Sequence, residues 1–177
     1  MSFEGCIAEL TVYRFHQGSF KDPQGRVLAD RPPVLEELHA YWLSRCRGRA
    51  FPARADIDPI DIPSLLEHLL LVDVLRDPLD FRYRLVGGHI VTHAGSIAPG
   101  RTTRGLIEDG HSAERAVQEK VMLAWQAVVQ SLAPVAVELT CRAAVSEHRK
   151  RLQGVLLPLG PTAEDLNMLL GGISFLE

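Results

Sequence analysis

Long apolar runs are missing from this chain of 177 residues. The longest candidate, Leu69-Leu70-Leu71-Val72, stops at Asp73. A helix needs roughly 18–20 apolar residues to span a bilayer, so no membrane partner is expected. The N-terminal MSFEGCIAEL has no basic region followed by an apolar block, so no secretory signal is expected. Ser2 stands where N-myristoylation needs glycine, and the final SFLE is no prenylation box. Cysteine is scarce. Cys6, Cys46 and Cys141 are odd in number, widely spaced and form no CxxC. This pattern predicts a cytoplasmic location and mostly buried thiols. An excess of one charge is also missing: the formal net charge is −3 and the pI is near 6.2. Composition therefore gives no reason to expect a nucleic-acid partner. The chain contains no GxGxxG, GxxxxGK[ST] or GxSxG, so a phosphate cradle and a hydrolase nucleophile elbow are both unsupported.

What is present is ordinary for a globular protein: 46% apolar, 23% charged and 6% aromatic residues. The length suits one domain able to bury roughly 70% of its unfolded surface. Residues 1–32 read as an arm or a lone strand, with Asp22-Pro23-Gln24-Gly25 as turn chemistry. Residues 33–177 form the domain proper. A helix over 33–47 follows from the stripe Leu35, Leu38, Trp42, Leu43 and Cys46. A Pro/Asp-rich stretch leads to a short helix from Pro63, with Asp61 as the candidate cap. Strands follow at 69–75 and 81–85, the second with Phe81, Tyr83 and Leu85 alternating with Arg82 and Arg84. Glycines at 95, 100, 105 and 110 limit the next segment to short turns. A long helix over 112–132 carries Val117, Val121, Ala124, Trp125, Val128 and Val129. Three strands close the chain: 135–145, 152–159 and 168–176, with Gly171-Gly172 marking a close approach in the last. The expected fold is α+β. It is a five-stranded antiparallel sheet with helices on one face and an N-terminal flanking helix.

Two strands, a helical segment, one connecting helix and three strands is the order of a PAS domain. Tyr41-Trp42, the segment Pro52 to Pro59, Phe81-Arg82-Tyr83-Arg84-Leu85-Val86-Gly87 and Leu157-Pro158-Leu159 resemble a PAS-like family of stand-alone bacterial proteins. The resemblance covers roughly residues 33–176 and implies the strand order second, first, fifth, fourth, third. It implies a sensory or regulatory module without catalytic activity, binding a small-molecule ligand, a protein partner or both. Carried onto this chain, the ligand walls are Tyr83, Leu85, the segment 89–97 with His89 and His93, Val121, Trp125, Leu139 and Cys141. Dense interiors make a filled or nearly filled core the expectation at that place. The resemblance also implies a homodimer through the flanking helix, with Trp42 or Tyr41 in or beside the contact.

Cofactors common in this fold are not expected. The long helix has no histidine for a haem axial ligand, and residues 96–111 have no cysteine for a flavin adduct. His89 and His93 sit i and i+4 and share a helix face, a spacing that suits two metal ligands. A third ligand would have to come from His68, His111 or His148, and no metal is expected. Asp56, Asp58 and Asp61 read as a solvated turn, and Cys141, at an apolar strand position, reads as core. Arg82, Arg84 and Arg142 with residues 148–151 form a basic strip that reads as solvated charge or an anion contact. The competing reading is a small α+β cavity enzyme using a histidine as acid, base or metal ligand.

Overall fold

Alternating side chains build a single antiparallel sheet, and a continuous apolar run at its centre forces it to be covered on both faces. The computed structural model describes residues 6–143 and 148–176. Its strands are β1 (Cys6–His16), β2 (Ser19–Lys21), β3 (Leu69–Leu75), β4 (Asp80–Val86), β5 (Val135–Ala143), β6 (Arg149–Leu159) and β7 (Met168–Leu176). They lie in the order β2-β1-β5-β6-β7-β3-β4. Every neighbouring pair is antiparallel. The helices are α1 (Pro33–Cys46), α2 (Gly88–His93), α3 (Thr103–Asp109) and α4 (Ser112–Ser131). The expected strand extension through Val145 lies outside the described residues, as do residues 1–5.

The five strands β4-β3-β7-β6-β5 stand in the order that the resemblance implies. Among the described residues the sheet nevertheless has seven strands, not five. β1 runs along β5 from Cys6↔Ala143 to Arg14↔Val135, and β2 folds back on β1. Gln17 and Gly18, at φ of 50° and 80°, make the two-residue turn between them. The physical reason is the open edge of β5. A free strand edge presents unpaired N–H and C=O groups, and the N-terminal segment supplies their partners.

Helices cover both faces, which corrects the expectation of one covered face. Residues 153–159 of β6 are buried without interruption, as strands enclosed on both sides are. On one face lies α4, whose Trp125 ring is 6.1 Å from that of Phe81. On the other lies α1, whose Leu35, Leu38 and Trp42 are 1–2% exposed. Trp42 Nε1 donates to the Pro158 carbonyl at 2.9 Å. His39, also buried, sits among Phe15, Phe20 and Trp42.

Trp42 is thus packed against its own sheet. Tyr41 is engaged as well. Its hydroxyl donates to Asp61 Oδ2 at 3.0 Å and accepts from Asp58 N at 2.9 Å. Among the large apolar side chains of α1, Leu43 is the exposed one.

Candidate ligand site

Three polar side chains from three elements meet inside the α4-covered layer. Tyr83 on β4, Thr103 on α3 and Trp125 on α4 are 1%, 0% and 2% exposed. Tyr83 projects inward because it shares a strand face with Phe81, while Arg82 and Arg84 take the other. Thr103 opens α3 behind the Thr102 cap, whose hydroxyl accepts from Gly105 N at 3.0 Å. Trp125 lies on the apolar stripe of α4. Buried Gln118 precedes it by seven residues on the same stripe.

Their polar atoms lack partners. Tyr83 Oη, Thr103 Oγ1, Trp125 Nε1 and Gln118 Oε1 are buried without a hydrogen bond. Burial pushes the Tyr83 phenol pKa up, and the neighbouring Trp125 and Thr103 groups offset part of that rise. The Tyr83, Thr103 and Trp125 groups are therefore close, yet no pair closes in hydrogen-bond geometry. An unsatisfied buried polar group costs roughly 1–3 kcal/mol. Together Tyr83, Thr103 and Trp125 offer one obligate donor, the indole N–H, and two hydroxyls that donate or accept.

The other predicted wall residues are dispersed. Leu85 is 40% exposed near the end of β4. Val121 is half-buried on α4. Leu139 is buried, but β5 lies four strand positions from β4. At about 4.8 Å per strand, that is roughly 19 Å. Cys141 is half-buried and disulfide-bonded to Cys6, with Cα atoms 6.4 Å apart. This corrects the reading of Cys141 as a core thiol: β1, unforeseen at that edge, brings Cys6 to it. Thr103 and Gln118 were missed. Gln118 was legible from its place on the α4 stripe, whereas nothing in the sequence marks Thr103.

His89 and His93 do share a helix face, on α2, but at the surface. The structure adds His68 from the 3₁₀ helix Pro63–His68 and Phe175 from β7. Ring centroids are 4.3 Å apart for His68–His89, 4.5 Å for His89–His93 and 4.7 Å for His93–Phe175. Glu67, Leu66, Gly88 and Thr92 complete a shallow open cleft around His89 and His93. Among the described residues, no group of three or more His, Cys, Asp or Glu has a metal-holding arrangement.

The clustered aspartates are divided among separate partners. Asp56 accepts from Arg49 Nη2 at 2.7 Å and from Ala53 N at 2.8 Å, which holds its carboxyl below the usual range. Asp58 caps the 3₁₀ helix Pro59–Asp61 through Ile60 N. Asp61 is not the cap of the next turn; it bonds Arg45 and Tyr41 instead. The basic strip is also partly neutralised. Buried Asp73 takes Arg82 at 3.1 Å and Arg84 at 3.0 Å.

Comparison with known families decides what this arrangement belongs to. The family model described as PAS domain matches residues 31–174. The chain belongs to the PAS domain family. The match leaves out the β1–β2 hairpin, so the two added strands lie beyond the family's own span. No curated protein and no solved structure matches the chain. None of the described helices is long and apolar enough to cross a membrane.

Proposed function

We propose that this PAS domain is a sensory module that takes a small ligand at Tyr83, Thr103 and Trp125 and signals through a protein partner. One observation carries the reading: unpartnered polar atoms from β4, α3 and α4 converge where the surroundings are apolar. Ligand sites are mostly apolar with a few placed polar groups. The ligand class that fits is small and largely apolar, with a carbonyl or hydroxyl oxygen to accept from Trp125 Nε1. Its entry requires the cover formed by residues 88–111 to move. That motion is the signal, because α3 packs on both β4 and α4.

The module has no catalytic activity of its own in this reading. The enzyme alternative needs a histidine converging on Tyr83, Thr103 and Trp125. His89 and His93 instead stack with His68 and Phe175 at the surface. Homodimerisation is no part of this proposal, since the helix stripe that argued for it covers the chain's own sheet. Residues 33–177 form the sensory unit, and the preceding arm closes its β5 edge.

A thermal-shift screen of small carbonyl and hydroxyl compounds tests the site. Ligands should raise the Tm of the wild type and lose that effect in a Tyr83→Phe/Thr103→Val variant. Equal shifts in both proteins would place binding elsewhere.

A further inference from the structure

We infer that His89 is the sensitive centre of an acid-released latch that holds α2 against the 3₁₀ helix Pro63–His68 and the end of β7. Hydrogen bonding fixes the proton of each imidazole. His68 Nδ1 lies 3.0 Å from the Ile173 carbonyl, and His93 Nδ1 lies 2.8 Å from the His89 carbonyl. A carbonyl only accepts, so both Nδ1 atoms carry hydrogen. His89 is the reverse case. Its Nε2 accepts from Phe175 N at 3.4 Å, so Nε2 must be bare. His68 and His93 can each gain a second proton at Nε2 and keep their bonds. His89 cannot: a proton on Nε2 faces the Phe175 N–H.

Position adds to this. His89 lies between two other imidazoles, at 4.3 and 4.5 Å between centroids. The groups that face it are Glu67 and His68 from the 3₁₀ helix and His93 from its own helix; β7 presents Phe175 and Ile173, which are uncharged. Burial, then His68 and His93, lower the His89 pKa, and among the described residues Glu67 alone opposes them. The latched state therefore disfavours protonation and the released state does not. As pH falls below the free-histidine value near 6.5, the released state gains the proton first. Release would free Ile90, the core anchor of α2 at 1% exposure.

Amide hydrogen exchange of the full chain at pH 7.5 and 5.5, corrected for intrinsic rates, tests the latch. The Val91 and Ala94 amides bond within and just after α2, and the Leu132 amide closes α4. One proton allows a loss of protection of up to about tenfold at pH 5.5. We expect a loss within that ceiling at Val91 and Ala94, no loss at Leu132, and no loss at any of them in His89→Gln. Unchanged α2 protection in the wild type, or the same loss in His89→Gln, overturns the proposal. If that variant does not fold, the wild type still decides. The NMR titration midpoint of His89 must coincide with the loss of α2 protection, and a gap above about one pH unit overturns it.

Discussion

Gly171 and Gly172 are adjacent on β7 and face opposite helices. A methyl group at Gly171 would lie 3.1 Å from Trp125 Cη2 of α4, and one at Gly172 would lie 2.6 Å from Leu38 Cδ2 of α1. α4 presses onto Gly171 and α1 onto Gly172, from opposite sides of the sheet. Glycine lets each ring or branch reach the sheet itself, which is why α1 is a full covering layer. Gly172→Ala should cost about 1–3 kcal/mol through overpacking. Urea denaturation measures it, and a neutral result would mean that α1 does not rest on β7.

Gly87 and Gly88 are neighbours of different kinds. A methyl group at Gly87 would overlap the backbone carbonyls of Glu67 and Leu66, whereas one at Gly88 meets nothing within 4 Å. Backbone cannot yield as a side-chain tip can. Gly87→Ala should therefore destabilise by more than about 2 kcal/mol, while Gly88→Ala stays within about 1 kcal/mol of wild type. Chemical denaturation of the two variants side by side checks the contrast.

His39 makes stability depend on pH. Burial, then Arg31, lowers its pKa from 6.5 to about 4. Its Nε2 is buried without a partner. Its folded value is depressed, so the unfolded chain takes the proton first as the solution is acidified. Its stabilising contribution is complete above pH 6.5 and falls as the pH drops toward 4, by a total on the order of 3 kcal/mol. The slope of unfolding free energy between pH 6.5 and 4 should be shallower in His39→Leu than in wild type.

Trp42 tests the outer layer. Trp42→Phe keeps most of the packing and removes the donor to the Pro158 carbonyl, for an expected loss of about 1–3 kcal/mol. Trp42→Ala should cost about 3–5 kcal/mol. Light scattering should show no change in oligomeric state for Trp42→Phe, since the side chain is internal.

The strands themselves and their antiparallel neighbours β3–β4 and β5–β6–β7 were legible because half-buried strands alternate and short loops force antiparallel pairing, whereas the β7–β3 contact came from the family resemblance. β1 was not. Its residues are mostly half-buried, at the margin of the sheet, and Val12-Tyr13-Arg14-Phe15 alternates only weakly. The placement of α1 was hidden in Gly171-Gly172, which marked a close approach without saying from which side. At the candidate site, the inward face of Tyr83 and the stripe position of Trp125 were readable from periodicity. Thr103 was not, since only tertiary folding brings α3 to β4. The histidine pair was readable as i and i+4. The arrival of His68 and Phe175 was not, because no local pattern encodes a contact between a 3₁₀ helix, α2 and the end of β7.

Tyr83 and Trp125 carry the central claim. Tyr83→Phe removes a buried hydroxyl without a partner, so the empty protein should lose less than about 1 kcal/mol or gain stability. Trp125→Ala should cost about 3–5 kcal/mol. Equilibrium unfolding separates the two. A loss under about 1 kcal/mol for Trp125→Ala would mean that this side chain does not fill the core.

Native mass spectrometry of the freshly purified full chain is the most direct test of the sensory reading. The account predicts a small molecule retained by the wild type, one per chain, released on denaturation and absent from the Tyr83→Phe/Thr103→Val variant. A wild type at the bare polypeptide mass, or an adduct that the double variant retains equally, would contradict it.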